Sequence, residues 1–227
     1  MSSYTSEQRA NIRNRYLEVD TSNVADVLDT LGHFDQGLHP DFRDVIAGAG
    51  KLAGWAYTIR GQMTPYPLGG YPEKMKACEG LASGDISVWS GDGEGICYFG
   101  ELIAIGMKER GCAGALVDGG VRDIRWIQDQ SFPVFARYRT PVQSIGRWKV
   151  NGWQEPVSLR GATSTYVTVN PGDFILGDED GTIVIPHSLV EKVLIESEKL
   201  TEKELAIRGE LSSGLSLADA LRKYGHV

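Results

Sequence analysis

Cysteine and histidine are sparse in this sequence and nowhere clustered. The three cysteines, Cys78, Cys97 and Cys112, are odd in number and show no C-x-x-C spacing. That excludes a disulfide framework and a zinc ribbon, and leaves thiols of a reducing compartment. The four histidines, His33, His39, His187 and His226, stand apart without an H-E-x-x-H pair, so a histidine-based metal site is not encoded. No apolar run reaches the ~18 residues of a membrane span, and the polar opening "MSSYTSEQRA" is not a signal peptide. A cytoplasmic protein with no membrane partner is expected. Basic clusters are missing too: Arg122, Arg125, Arg137, Arg139 and Arg147 are dispersed among apolar residues, and the formal net charge is −7 with a pI near 5.2. Nucleic acid is therefore not an expected partner. The glycine-rich "GDGEGICYFG" does not fit G-x-G-x-x-G, because from Gly91 and Gly93 the last position falls on Ile96. A dinucleotide site is not expected, and the segment reads as a connection or a loop over a small site.

What is present is an ordinary core. A chain of 227 residues with 41% hydrophobic residues fits one large domain with helical extensions. Residues 6–18 read as a helix. "DTSNVADVLDTLG" supplies a second, with Thr21 or Ser22 as cap, Val24, Val27, Leu28 and Leu31 as its stripe, and Gly32 as its end. "AGKLAGWAYTIRG" is β-like, and the proline- and glycine-rich "MTPYPLGGYPEKM" predicts an irregular loop. "DISVWS" is a short strand. Residues 101–110 form a helix with Leu102, Ile103, Gly106 and Met107 on one face, closed by Gly111. "AGALV" is a buried strand ended by a turn at "DGG", and "RDIRWIQDQ" starts a short helix. Strands follow at "FPVFAR", "QSIGRWKV", "STYVTV", "FILG" and "TIVIP", with turns at "NPGD" and "DEDG". Ser188 with Glu191 spells a capping box for a long final helix. Helices alternating with strands predict an α/β domain.

The stretch "GELIAIGMKERGCAGALVDGGVRD" carries the chemistry. Glu101 opens a helix, and Arg122 and Asp123 stand at the carboxyl end of the next strand, where α/β proteins commonly place ligands. Twenty residues lie between Glu101 and Arg122. By itself an Arg-Asp pair after a turn is more often a helix-start carboxylate beside a surface cation. Asp118 reads as a turn residue, as do Asp178 and Asp180 in "GDEDG".

This pattern resembles the signature of the RraA-like family, whose aldolase branch has an acidic residue, twenty intervening residues and then Arg-Asp. "FPVFAR", "VNPGDFILGDEDGTIVIP" and "EKELAIRGELSSGLSL" agree, so the resemblance covers residues 21–217. It implies a swivelling β/β/α fold for residues 21–186. Residues 1–20 would be an N-terminal helical extension, and 187–227 a C-terminal helix at a subunit interface. It implies a homotrimer or homohexamer with sites between subunits, and class II pyruvate aldolase chemistry. In that chemistry a 2-oxo acid such as 4-hydroxy-4-methyl-2-oxoglutarate is cleaved, or oxaloacetate is decarboxylated, with Mg²⁺ or Mn²⁺.

Asp123 would then be the direct metal ligand, with Glu101 acting through water. Arg122 would hold the keto acid, and Gly100 with the amides of Leu102 and Ile103 would receive its carboxylate. A glutamate from the neighbouring subunit, Glu198 or Glu204, would complete the site. The sequence departs from the family at "QMTPYPLGGYPE", which lacks the asparagine that helps bind substrate. The alternative implied by the same family is a protein-binding inhibitor of a ribonuclease without catalytic activity.

Overall fold

The computed structural model of the chain describes residues 4–66, 72–91 and 93–225. Two helices come first, α1 (Ser6–Tyr16) and α2 (Thr21–Thr30), then β1 (Arg43–Asp44) and the long β2 (Leu52–Met63). The middle of the chain runs α3 (Glu73–Glu79), β3 (Asp85–Ser90), β4 (Cys97–Phe99), α4 (Glu101–Lys108), β5 (Gly114–Val121), α5 (Ile124–Gln128) and β6 (Val134–Arg139). After it come β7 (Trp148–Trp153), β8 (Val157–Arg160), β9 (Tyr166–Val169), β10 (Phe174–Gly177) and β11 (Thr182–Ile185). The chain closes with α6 (Val190–Ser212) and α7 (Leu217–Tyr224).

These elements build an α/β domain around one mixed sheet. The sheet order is β1-β6-β5-β3-β2-β10-β11, with β4 beside β5 and β7 beside β2. Strands β2, β3, β5 and β6 are parallel, so each return between them needs a crossover, provided by α3, α4 and α5. β3 and β5 are buried along their whole length, on both faces of the sheet, with Asp85, Ser87 and Ser90 of β3 among the buried polar residues. The two-residue period sorts β2 cleanly. Ala53 and Trp55 pack under α1, α2 and α6. Tyr57 and Ile59 pack under α3 to α5. Leu52 and Ala56 face the opposite side, against the β8–β9 ribbon. Among the described residues no helix is long and apolar enough to cross a membrane.

Several expectations need correction. The "DGG" at 118–120 is not a turn: β5 runs through it to Val121. Its glycines answer to crowding instead. A Cβ on Gly119 would lie 2.4 Å from the Tyr98 hydroxyl, and one on Gly120 2.4 Å from the Ile96 carbonyl. Asp118 is accordingly a strand residue. The capping box at Ser188 does not form; a 3-10 turn, His187–Leu189, delays α6 to Val190, and the cap makes no side-chain bond. Neither Thr21 nor Ser22 caps α2 from outside; Thr21 is its first residue. Its amide and hydroxyl donate to the buried Asp178 carboxylate at 2.8 and 2.6 Å, so a distant turn supplies the cap.

The loop expected over 63–75 gives way to helix at Glu73, and residues 67–71 lie outside the described residues. Ser144–Arg147 is a turn, so the strand expected from 143 starts only at Trp148. On α4 the buried residues are Ala104 and Met107, with Ile103 packed beside them; Leu102 is 78% exposed and Gly106 is exposed. The final helix breaks in two, and β1, β4, β8, α3 and α7 were not marked by the sequence pattern. Gly32 and Gly111 do end their helices in the left-handed conformation, at φ 83° and 88°.

Gly119→Ala tests the crowding beneath Tyr98, which is fully buried and stacked at 4.4 Å on Trp148. The added methyl should cost about 2 kcal/mol in urea unfolding and lower Tm by roughly 4–8 °C. A change within about 0.5 kcal/mol would show that the strand has room there.

Candidate active site

The corner at the end of β5 is made by backbone first. The Arg122 amide donates to the Phe99 carbonyl at 3.1 Å, joining the ends of β5 and β4. Asp123 then takes φ 61° and ψ 33°, a left-handed conformation that aspartate tolerates better than most residues. It caps α5 by position but makes no side-chain cap bond. Its carboxylate faces the start of α4 instead, where the Glu101 amide donates to Oδ2 at 3.4 Å. Arg122 Nε lies 3.4 Å from the same oxygen. Gly100 makes this approach feasible, since a Cβ there would fall 2.7 Å from Asp123 Oδ2 and 3.3 Å from Arg122 Cγ.

A cavity of about 120 Å³ opens on this corner, with Gly100, Leu102, Ile103, Arg122 and Asp123 in its wall. Lys74, Cys97, Tyr98, Phe99 and residues 143–145 complete it. The amides of Leu102 and Ile103 sit in the first turn of α4, where N–H groups lack intrahelical acceptors. Burial raises the Cys97 thiol pKa despite the nearby Arg122 and Lys74 charges, so it is a poor nucleophile.

Lys74 was not singled out from the sequence, where it reads as one more charge in "YPEKMK". Its Nζ donates to the Tyr98 carbonyl at 2.5 Å and lies 5.5 Å from the Trp89 ring and 6.0 Å from Trp148. Desolvation brings its pKa down to about 8, with a smaller push from Arg122.

Glu101 is half-buried and brings its amide to Asp123; its carboxylate forms no ion pair with a described residue. Glu198 and Glu204 lie on α6 and are paired within their own chain, Glu198 with Arg15 at 2.6 Å and Glu204 with Arg208 at 2.8 Å. Asp118 pairs instead with Arg137, whose side chain is 6% exposed; Arg137 and Arg160 both bind Glu94. This network ties the glycine-rich loop to β6 and β8. A roomier groove of about 600 Å³ lies between α2 and α6, lined by Asp26, Asp29, Glu196, Lys199 and Lys203.

With this geometry in view, the comparison with known proteins is direct. The family model for RraA-like proteins, described as Aldolase/RraA, matches residues 21–184. The chain belongs to the RraA-like family. A Halalkalibacterium halodurans protein named "Putative 4-hydroxy-4-methyl-2-oxoglutarate aldolase" is 28% identical over 211 residues, covering 92% of this chain and 91% of that one. Protein DlpA of Legionella pneumophila is 26% identical over 96% of this chain, which spans only 34% of DlpA's length. Among solved structures, Streptomyces coelicolor RraAS2 superposes with a TM-score of 0.74 at 20% identity, covering 92% of this chain and 98% of that one. It is described as an unusual member of the RNase ES inhibitor RraA protein family. This likeness establishes the RraA-like fold.

The Lys74 environment generates a linkage prediction for this RraA-like chain. A lysine whose folded pKa lies below its unfolded value, about 10.4, leaves the unfolded state binding more protons between the two. The stability of wild type relative to Lys74→Gln should therefore rise with pH from about 8 upward. Urea unfolding of both proteins at pH 7.0, 8.5 and 10 measures it, and a constant difference would refute the desolvated amine.

Proposed function

We propose that this corner is the active site of a divalent-metal-dependent carbon–carbon lyase acting on a 2-oxo acid and releasing the enolate of pyruvate. Aldol cleavage of a 4-hydroxy-4-methyl-2-oxoglutarate-type acid and decarboxylation of oxaloacetate are two routes to that one product. The observation that carries the reading is the meeting of Arg122, Asp123 and the open first turn of α4 around a single small cavity. The family membership and the aldolase name of a full-length relative support it.

The donor set suits a hard cation. Among the described residues no group of three His, Cys, Asp or Glu side chains could cage a metal. Mg²⁺ and Mn²⁺ do not need a cage; they are held by one or two carboxylates plus water and substrate oxygens. Asp123 would hold the ion directly, and Glu101 through water. When bound, the ion polarises the keto oxygen and stabilises the negative charge that develops on it.

The chain's own groups do the rest. The amides of Leu102 and Ile103, at the positive end of α4, receive the substrate carboxylate. The Arg122 guanidinium, a permanent forked cation, holds the keto oxygen as carbon–carbon cleavage moves charge onto it. In aldol cleavage Glu101, through a water, takes the 4-hydroxyl proton as the carbonyl forms and delivers it to the carbon that becomes the methyl group of pyruvate. In decarboxylation the water supplies that proton. Assembly as a trimer or hexamer belongs to the same proposal. Leu102, Ile105 and Ile145 are exposed and offer an apolar rim for a neighbouring subunit, whose Glu198 or Glu204 would reach the corner.

The test is pyruvate formation from oxaloacetate with Mg²⁺ or Mn²⁺, at a rate above that of free metal and abolished by EDTA. Arg122→Ala should lower kcat/KM by about a hundredfold or more, as for loss of an oxyanion donor, with Tm nearly unchanged. Arg122→Lys should recover little, because an ammonium lacks the fork. Wild-type protein without turnover would sink the lyase reading, and capture of a ribonuclease in a pull-down would then put the inhibitor reading in its place.

A further inference from the structure

A second cationic pocket lies at the other end of the sheet from the corner. The parallel strands β3 and β5 begin at Asp85 and Gly114, whereas Arg122 follows the last residue of β5. Beside those first residues, α1 and two glycine turns bound a cavity of about 370 Å³, within the ~300–1,000 Å³ of small-molecule sites. The turns are held to each other. The Gly84 amide donates to the Gly111 carbonyl at 2.9 Å, and both glycines are left-handed, at φ 80° and 88°. A Cβ on Gly111 would fall 2.9 Å from Ser83 Cα, so the contact between the turns leaves no room for a side chain there.

Two guanidinium groups one helical turn apart on α1, those of Arg9 and Arg13, line this cavity. Among the described residues no acidic side chain lies in its wall. Arg9 donates from one Nη to Asp85 at 2.6 Å and stands over the Trp55 ring at 4.7 Å. Arg13 has no such partner. Its Nε donates to the Ala53 carbonyl at 2.8 Å, which fixes the stem of the fork. The four N–H donors on its Nη atoms meet no acceptor among the described residues, and no carboxylate pairs with it. Burial lowers the Arg13 pKa with no neighbouring charge opposing it, whereas Asp85 opposes the same effect at Arg9. The Asn14 amide and the Ser83 hydroxyl add neutral donors to the wall, and neither has a partner among the described residues. Donors from α1 on one side and from the Ser83 turn on the other suit a group with three peripheral oxygens, which is a phosphate rather than a carboxylate.

We infer that this pocket binds a small phosphate monoester, held by the Arg13 fork, with Arg9, Asn14 and Ser83 completing the contacts. The cavity exceeds the volume of a bare phosphate, so a short organic group is accommodated with it. Both guanidinium groups stand outside residues 21–184, the stretch that the family model matches. The site is therefore separate from the corner in space and from the family signature in sequence.

Calorimetric titration with glycerol 3-phosphate, in buffer free of phosphate and sulfate, tests the pocket. Wild type should bind the ester and not glycerol, and Arg122→Ala should bind the ester as wild type does. Arg13→Gln should weaken binding by about tenfold or more, the loss expected for a charge-assisted hydrogen bond. Because Arg13 also ties α1 to Ala53, a second variant separates binding from folding. Ser83→Asp, in an exposed turn, sets a carboxylate beside the guanidinium groups; it should abolish binding while holding or raising Tm. Binding retained in Ser83→Asp or in Arg13→Gln would overturn the pocket. Loss of binding in Arg122→Ala would overturn it too, by moving the phosphate to the corner. Wild type giving neither heat nor a Tm shift with the ester would overturn the ligand class, and inorganic phosphate binding as tightly as the ester would overturn its organic part.

Discussion

At the carboxyl end of β5 one backbone hydrogen bond, from the Arg122 amide to the Phe99 carbonyl, holds two strand ends side by side. One strand leads into α4 and the other into α5, so the bond sets where both helices begin. The left-handed turn at Asp123 completes the arrangement by swinging its carboxylate away from capping α5 and toward the start of α4. A residue in that region of backbone space costs of order 1 kcal/mol and persists only where neighbours hold it. Here the neighbours are a buried strand on one side and, on the other, the extended Gly100, whose missing Cβ admits the carboxylate.

The electrostatics of the cavity depend on what lies behind it as well as on what faces it. Arg137 is almost fully buried and spends its charge on Asp118 and Glu94, so it adds nothing to the attraction felt by a ligand. Burial raises the Asp118 pKa and Arg137 pulls it back, as in a buried ion pair that locks structure rather than binds solute. Arg122 has only its weak contact with Asp123 and remains half-exposed. Among the described residues of the cavity wall, the cations without a buried carboxylate partner are Arg122 and Lys74.

Much of the framework was legible from local pattern. The apolar runs of β5 and β10, the stripe of α2, and the left-handed glycines at 32 and 111 all follow from period and backbone sterics. Misreadings arose where a local signal had a tertiary cause. Gly119 and Gly120 look like turn glycines, yet they sit in a strand because the ring of Tyr98 and the carbonyl of Ile96 press against them. Ser188 and Glu191 spell a capping box, but the 3-10 turn after Pro186 moves the helix start past Ser188 to Val190. Asp178 looks like a hairpin residue, and also caps a helix 157 residues away in sequence.

The adjacency of Arg122 and Asp123, and their place after a buried strand, are properties of the chain order alone. So is the position of Gly100 and Glu101 at a helix start, because caps and periodicity act within a few residues. Three things were decided only by packing: the turn of Asp123 toward α4, the burial of Asp118 against Arg137, and the entry of Lys74 from α3 into the same cavity. The physical reason is range. Steric preferences of the backbone are local, whereas desolvation and charge pairing depend on which distant elements the sheet order brings into contact.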